Sequence, residues 1–427
     1  MKNNRVQRIN FSIIIPVFNS ESFIKETISS LVNQNYKNIE IIIINDCSTD
    51  NSSKIINRIK KINQKFEFKI INNKRNMGVA FSRNIGLNYA MGDYIIFLDS
   101  DDYLEKNSLS FISKKIISNN HPDLILGSHN MNVSGIFKNK KKSSSGDLKY
   151  QLNLINKSRQ FTGYCWAFII KRNFLLSNNI RFSNIKTHED VVFVAKIILY
   201  CQNLILINKK FYFHRSIPSS LSRKVSSKML LSCIIGLKEL SNIYSNKKIV
   251  LSEKKIFLQN AIRLLTEHML PLIFLINKKH LLKYSKIIFK EKKLFGKINI
   301  ILKKNFFTFK NRYVFNQISL SIQKKLIYQI KRKFNKNFYI FCMDKYGFAI
   351  SKVLRNNQFK VKGFLDNNNF YFGKKKFGIK HYALKNIDFN NNIIICNQRK
   401  THQKQIFEQL VRFGFKTDRI FKYRFSI

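Results

Sequence analysis

Acidic residues are scarce in this 427-residue chain, where 24 Asp and Glu stand against 77 Lys and Arg and the formal net charge is +53. Such a charge would indicate a nucleic acid or an anionic membrane if the basic side chains were clustered, because both partners are polyanions. The lysines instead alternate with Asn and Ile along the whole length. The charge therefore predicts no nucleic-acid partner, and it leaves a peripheral contact with an anionic membrane surface as the main alternative to coding bias.

Cysteine pairs and long apolar runs are also missing. The six cysteines are scattered without a CxxC pair, so neither a zinc site nor a disulfide framework is indicated, and a reducing cytoplasm is expected. The basic N-terminus has only a short apolar part, which predicts no signal peptide. The longest apolar run elsewhere, Met269 to Asn277, is far shorter than the roughly 20 residues of a membrane-spanning helix.

Short Ile-rich runs alternate with segments of helical period over roughly the first 105 residues. The runs are FSIIIPVF, IEIIIIND, FEFKIINN and YIIFLDSDD. Near-continuous apolar strands separated by helices predict a parallel sheet that is covered on both faces. Ligands bind beyond the carboxyl ends of the strands in such sheets, so we expect the loops PVFNSE, NDCSTD, NKRNMG and DSDD to line one crevice.

The fourth loop holds three carboxylates within four positions, at Asp99, Asp101 and Asp102. If the backbone stays extended, Asp99 and Asp101 point the same way, and both could face one hard cation, Mg²⁺ or Mn²⁺, together with a diphosphate oxygen. The alternative is a capped turn before a helix that starts near Leu104. That alternative explains only one of the three acids, so we predict a metal site at Asp99 and Asp101 and a helix cap at Asp102.

The second and third loops offer partners for a nucleotide. Asp46 could accept hydrogen bonds from a base or a ribose, whereas Asp50 is explained by a turn that leads into the next helix. Arg75 and Arg83 are candidate pyrophosphate partners, and Gly78 would allow close backbone approach near a helix N-terminus. A solvated side chain is the alternative for Arg75, whereas Arg83 lies mid-helix with apolar Phe81 and Ile85 two residues away on either side.

Four blocks in this order resemble the signature blocks of family 2 glycosyltransferases with the GT-A fold: FSIIIPVFNSESFIKETISSLVNQNYKNIEIIIINDCSTDNS, NKRNMGVAFSRNIGLNYAMGDYIIFLDSDD, HEDVVF and FYFHRSIPSSLS. The resemblance covers roughly residues 9–223. It implies an α/β fold with a Rossmann-like mixed sheet and a nucleotide-diphospho-sugar donor. Asp99 and Asp101 match the DxD motif of the family, with Asp101 as the expected direct metal ligand. The donor-site residues that it implies are Pro16, Val17, Asn19, Glu21, Asp46, Gly78, Arg83, Asp99 and Ser100.

Glu189 and Asp190 precede a helical apolar pattern, where two acids favour the helix dipole and capping alone would explain them. The resemblance implies that Asp190 is the general base of a direct displacement with inversion, in which the metal stabilises the leaving diphosphate. It further implies that four residues lie near the acceptor or diphosphate: Trp166, Glu189, His214 and Arg215. The alternatives are a buried core position for the tryptophan and a plain loop position for the histidine.

The rest of the chain divides into two further predicted regions. Residues 224–335 have a basic helical pattern, and residues 336–427 resemble a small Rossmann-like domain. Gly347 is the only glycine in the predicted phosphate turn of that domain, and Asp344 would repel a phosphate, so we expect no cofactor there.

Together these patterns predict a metal-dependent, hexosyltransferase-type enzyme of bacterial surface polysaccharide synthesis, such as capsule or lipopolysaccharide synthesis. Its acceptor would be a glycan or a lipid-linked glycan at the cytoplasmic membrane face, which the basic helical region would suit. Two alternatives are a nucleic-acid-binding module and a catalytically inactive protein of transferase fold. The first lacks a recognisable binding motif, and the second is disfavoured because Asp46, Asp99, Asp101 and Asp190 are all present.

Overall fold

The structure, a computed structural model, describes residues 8–129, 147–157, 163–215, 227–245 and 249–275 without interruption, and shorter stretches between residues 293 and 423. The chain separates into two compact units, one within Met1–Ile217 and Ile235–Leu264 and the other within Pro218–Ile234 and Leu265–Ile427. The phosphate turn predicted around Asp344 and Gly347 lies outside the described residues.

The first unit is built on a mixed sheet of eight strands: β1 Phe11–Val17, β2 Ile39–Asn45, β3 Glu67–Asn72, β4 Tyr94–Phe97, β5 Tyr103–Leu104, β6 Leu124–His129, β7 Phe168–Lys171 and β8 Leu204–Phe213. Their order is β3-β2-β1-β4-β7-β6-β8-β5. The first four strands pair in parallel, with Ile13 opposite both Ile41 and Ile96. Strand β7 runs antiparallel to both of its neighbours. The predicted α/β class with a Rossmann-like mixed sheet is confirmed.

Helices connect these strands: α1 Ile24–Val32, α2 Ser52–Ile62, α3 Val79–Tyr89, α4 Ser108–Ser118, α5 Leu148–Lys157, α6 Arg172–Ser177 and α7 Glu189–Tyr200. Every residue of β1, β2 and β4 is buried, as expected of a sheet that is covered on both faces. Helix α3 lies directly against β1, because a Cβ added at Gly86 would come within 2.3 Å of Ile14 Cγ2. From this position α3 brings Arg83 within 2.7 Å of Asp99, just beyond the carboxyl end of β4.

The prediction of a helix that begins near Leu104 is wrong. Tyr103 and Leu104 instead form β5, which pairs antiparallel with the end of β8, so that Tyr103 lies opposite Phe213. The following helix, α4, begins only at Ser108. Asp102 is therefore not a helix cap, and the pairing brings the end of β8 against the acidic loop that follows β4.

Two further helices, α8 Ser227–Tyr244 and α9 Ser252–Leu275, lie in the predicted basic helical region. Over the part of the chain that the structure describes, no helix combines the length and the hydrophobicity needed to cross a membrane.

The second sheet has six strands: β9 Asn337–Phe341, β10 Lys360–Leu365, β11 Lys375–Lys376, β12 Ile379–Tyr382, β13 Asn392–Cys396 and β14 Ile420–Tyr423. Their order is β11-β12-β10-β9-β13-β14. All pairs are parallel except β11 with β12, and helix α10, Lys400–Arg412, joins β13 to β14. A separate parallel α/β sheet is thus present where the sequence predicts the Rossmann-like domain.

Candidate active site

The loops after β1 and β2 interlock through their polar side chains. Asn19 Oδ1 accepts a hydrogen bond of 2.8 Å from the Thr49 backbone N–H. Glu21 Oε2 accepts one of 2.9 Å from the Asn51 N–H, and Asp50 Oδ2 accepts one of 2.9 Å from the Glu21 N–H. Two of the predicted donor-site residues thus lie at one edge of the sheet, and two others lie buried at the end of β1: Pro16 and Val17.

Asp46 is buried and organises the loop that follows β3. Its Oδ1 accepts hydrogen bonds from the Met77 N–H at 2.9 Å and from Asn73 Nδ2 at 2.7 Å, and its Oδ2 accepts one from the Gly78 N–H at 2.7 Å. Gly78 has φ of 95°, a left-handed conformation that favours glycine. The Asp46 carboxylate therefore holds the second and third loops together, and its predicted contact with the base stays a prediction.

Arg83, on α3, lies between the acidic loop after β4 and the start of α7, with only 5% of its side chain exposed. Its Nη2 donates to Asp99 Oδ1 at 2.7 Å, and its Nη1 donates to Glu189 Oε1 at 2.9 Å. The guanidinium also lies 5.4 Å from the centroid of the Phe182 ring. Arg83 thus joins the loop after β4 to the start of α7. Its predicted contact with the donor phosphates stays a prediction.

The middle of the acidic loop is held from the other side by α1 and the loop before it. Ser100 Oγ lies 2.7 Å from Ser20 Oγ, and the Ser100 carbonyl accepts a hydrogen bond of 2.9 Å from Thr27 Oγ1. Burial, with the negative charge of Asp99, raises the pKa of Asp101 to about 6. The pair Asp99 and Asp101 is therefore a place where a cation would relieve both desolvation and repulsion.

Within the described residues, no three His, Cys, Asp or Glu side chains are grouped so as to hold a metal ion. Asp99 and Asp101 nevertheless fit a Mg²⁺ or Mn²⁺ ion. Such ions are usually held by one or two carboxylates and take their other ligands from substrate phosphates and water. The carboxylate pair fits a cation that arrives with a diphosphate.

Asp102 is 1% exposed and contacts the end of β8. Its Oδ2 accepts a hydrogen bond of 2.8 Å from the Tyr212 hydroxyl, and its Oδ1 accepts one of 2.7 Å from the Arg215 N–H. The Tyr212 oxygen in turn accepts a hydrogen bond of 3.1 Å from the Asp99 N–H. Sequence reasoning missed Tyr212, and the only signal for these contacts was the third acid of DSDD.

The predicted acceptor-side residues Trp166, His214 and Arg215 gather around this same strand end. Trp166 is buried and stacks on Tyr212 with ring centroids 4.4 Å apart, and the His214 ring lies 5.6 Å from the indole. Arg215 Nη2 forms an ion pair of 3.0 Å with Glu26. The tryptophan therefore packs against the tyrosine that contacts the acidic loop. The roles of these residues toward an acceptor or diphosphate stay predictions.

Asp190 lies in the first turn of α7, where its Oδ1 accepts a hydrogen bond of 2.9 Å from the Val191 N–H. Burial, with the negative charge of Glu189, raises the pKa of Asp190 to about 8. A carboxylate whose pKa lies near the working pH is suited to accept a proton in a reaction. Because Arg83 joins Glu189 to Asp99, this carboxylate belongs to the same network of charges as the acidic loop.

Comparison with known proteins finds glycosyltransferases, in agreement with the family that the sequence resembles. Residues 12–176 match the family model described as "Glycosyl transferase family 2". The cholesterol galactosyltransferase of Borreliella burgdorferi is 31% identical over 271 residues, which cover 60% of this chain and 74% of that protein. Glycosyltransferase GlyA of Streptococcus pneumoniae is 28% identical over 249 residues, which cover 55% of this chain and 34% of GlyA.

The poly(ribitol-phosphate) beta-N-acetylglucosaminyltransferase TarS of Staphylococcus aureus is 28% identical over 210 residues, which cover 48% of this chain and 35% of TarS. The matched region therefore spans only about a third of the length of GlyA and of TarS.

Proposed function

Because the chain belongs to glycosyl transferase family 2, we propose that it moves a sugar from a nucleotide-diphospho-sugar to an acceptor hydroxyl. The observation that carries this proposal is the double hydrogen bond of Arg83 to Asp99 and Glu189, at 2.7 and 2.9 Å. It holds the DxD motif and the acidic pair at the start of α7 in one buried network.

The proposed reaction is a direct displacement at the anomeric carbon of the sugar. The carboxylate of Asp190 removes the acceptor hydroxyl proton, the acceptor oxygen forms a bond to the anomeric carbon, and the bond to the diphosphate breaks with its electron pair. Attack opposite to the leaving group inverts the configuration. A general base of this kind contributes about 10²–10⁴-fold to the rate.

Asp99 and Asp101 would hold the Mg²⁺ or Mn²⁺ ion, with Asp101 as the more direct ligand. Such an ion, when bound, would neutralise the charge that develops on the leaving diphosphate. Arg83 orients Asp99 through its 2.7 Å hydrogen bond. The remaining residues proposed for the donor pocket are Pro16, Val17, Asn19, Glu21, Asp46, Gly78 and Ser100.

We propose residues 9–223 as the catalytic domain, residues 224–335 as the basic helical region and residues 336–427 as a Rossmann-like domain without cofactor. The acceptor is a glycan or a lipid-linked glycan of a bacterial surface polysaccharide. The names of two relatives, which specify cholesterol and poly(ribitol-phosphate), support a lipid or polymer acceptor. The net charge of +53 supports a peripheral position at the anionic cytoplasmic membrane face.

A panel of UDP-, GDP- and CDP-sugars, assayed with Mn²⁺ for release of the nucleoside diphosphate, tests this function. We expect turnover of one donor class, a loss of at least about 100-fold in Asp101→Asn, and full activity in Asp147→Asn, which changes an exposed aspartate. Turnover of no donor by the native chain, or undiminished turnover in Asp101→Asn, would overturn the proposal.

A further inference from the structure

The hydroxyl of Tyr212 makes two hydrogen bonds, one with the Asp99 backbone and one with the Asp102 side chain. Its oxygen lies 3.1 Å from the Asp99 backbone nitrogen and 2.8 Å from Asp102 Oδ2. The backbone amide can only donate, so the phenol oxygen accepts from Asp99, and the phenol O–H in turn donates to Asp102 Oδ2. One phenol therefore connects the first and the last residue of the DSDD sequence.

Further contacts close the loop between these two points. The Asp102 N–H donates to the Asp99 carbonyl at 3.1 Å, which forms a tight turn. The second oxygen of Asp102 accepts the Arg215 N–H at 2.7 Å, so both carboxylate oxygens are paired. Ser100 is held separately by Ser20. Asp101 thus lies within a turn whose two ends are tied to the end of β8.

The Tyr212 ring itself is held on several sides. Trp166 stacks on it with ring centroids 4.4 Å apart and an interplanar angle of 14°. On the backbone, Tyr212 lies opposite Leu104, and the Glu105 N–H donates to the Phe211 carbonyl at 2.8 Å. The phenol oxygen is therefore a fixed point against which the acidic turn is ordered.

We propose that Tyr212 and Asp102 are positioning residues, which hold Asp99 and Asp101 in the arrangement that binds a divalent cation with a nucleoside diphosphate. The proposal rests on the function proposed above and adds two residues that act through the DxD motif without touching the substrate. A hydrogen-bonded tyrosine that only stabilises the core is the competing explanation. The two explanations differ in which property changes when the hydroxyl is removed. A positioning role predicts faster exchange in the acidic turn and weaker binding of the cation with the nucleotide, whereas a purely structural role predicts neither.

Tyr94 provides a matched control in the same sheet. Tyr94 and Tyr212 are 1% and 0% exposed, and the Tyr94 hydroxyl donates to the Pro122 carbonyl at 2.8 Å. Tyr94→Phe and Tyr212→Phe therefore each remove one buried hydroxyl and its hydrogen bonding. Only the second change removes the acceptor of the Asp99 amide.

Two measurements compare these variants of the full chain. The first is hydrogen–deuterium exchange of peptides that cover residues 97–105. We expect exchange at the Asp99 amide to be about tenfold faster in Tyr212→Phe, because a lost hydrogen bond is worth about this factor. Tyr94→Phe should leave the exchange of these peptides unchanged.

The second measurement is calorimetric titration of Mn²⁺ together with UDP, GDP or CDP. We expect the affinity to fall by about tenfold in Tyr212→Phe and to be unchanged in Tyr94→Phe. If Tyr212→Phe does not fold, Asp102→Asn replaces it in both measurements, with the same expected changes. The asparagine has one acceptor oxygen, whereas the carboxylate uses one oxygen for Tyr212 and the other for Arg215.

Equal exchange and equal affinity in the two phenylalanine variants would overturn the positioning role. The two proposals can fail separately. If the native chain binds Mn²⁺ with a nucleoside diphosphate in a Tyr212-dependent way but turns over no donor, the positioning role stands and the transferase function fails. If the native chain turns over a donor and Tyr212→Phe changes neither exchange nor affinity, the reverse holds.

Discussion

Arg83 donates a hydrogen bond of 2.9 Å to Glu189, the residue directly before the proposed base Asp190. The same guanidinium donates to Asp99 at 2.7 Å, so one buried cation compensates two acids from distant parts of the chain. Removing one partner of a buried ion pair leaves a charge without compensation. Arg83 therefore bridges Asp99 and the residue next to the proposed base.

Arg83→Lys should lower both stability and turnover. A lysine presents one compact ammonium and lacks the planar fork that contacts two carboxylates at once. Breaking a buried pair costs about 3–5 kcal/mol. We expect the free energy of unfolding, measured with urea, to fall by a large part of this amount. Arg181→Lys is the control, since the Arg181 guanidinium donates to two uncharged oxygens, the Ile180 carbonyl at 3.2 Å and Asn88 Oδ1 at 3.5 Å. Equal unfolding midpoints in the two variants would contradict the bridging role.

Asp190→Asn should abolish sugar transfer while the chain still folds. The amide cannot accept the acceptor hydroxyl proton, so we expect kcat to fall by about 10²–10⁴-fold with little change in the KM for the donor. Circular dichroism checks the fold. If kcat stays within a few-fold of the native value, Asp190 is not the base.

The stability of the metal-free protein should fall as the pH rises from 5 to 8. Burial and neighbouring carboxylates raise the pKa of Asp101 to about 6 and the pKa of Asp190 to about 8, above their ordinary value in the unfolded chain. The folded state therefore binds more protons than the unfolded state in this window, and stability is lost as the pH rises through the folded pKa.

This pH dependence is measured as the thermal midpoint in the presence of a chelator. Asp190→Asn should flatten the decline and give a higher midpoint than the native chain at pH 8, by about 2–4 °C for each kcal/mol gained. Native and variant curves that run parallel from pH 5 to pH 8 would show that Asp190 does not titrate as stated.

Much of the fold could be predicted because the strands are long and almost wholly apolar. A run such as IEIIIIN, at Ile39–Asn45, has all seven residues buried, and no other element explains such a run between two helical patterns. The position of Asp99 could be predicted for a related reason, since it follows the buried strand β4 with almost no connecting loop.

The contacts of Asp102 could not be predicted, because they depend on residues far along the chain. Capping propensity favoured a helix at Leu104, yet pairing of Tyr103 with Phe213 outweighed that local preference. In the same way, the sequence identified Arg83 as a candidate site residue, but its partner Glu189 is 106 residues away. Local patterns identify which side chains are present, and tertiary pairing decides what they contact.

Another buried acid, Glu40, lies at the opposite end of the strands from the candidate site, near the start of β2. Its Oε1 accepts hydrogen bonds from Ser12 Oγ at 2.5 Å, the Met91 N–H at 2.6 Å and the Gly92 N–H at 2.9 Å. Its Oε2 accepts one of 2.6 Å from Lys69 Nζ. Burial opposes ionisation of Glu40, but these hydrogen bonds, led by that of Lys69, lower its pKa.

Glu40→Gln should therefore destabilise the chain without changing the chemistry. The neutral amide has a single acceptor oxygen for four donors, so we expect a loss of about 1–3 kcal/mol for the groups left unpaired, measured by urea unfolding. Because these contacts lie away from the carboxyl ends of the strands, kcat and the donor KM should stay at native values.

Glu67→Gln is the control, since Glu67 also pairs with Lys69, at 3.2 Å, but its side chain is 62% exposed, and such pairs contribute little. A fall in kcat with unchanged stability in Glu40→Gln would contradict this assignment and would connect the edge at Glu40 to the candidate site.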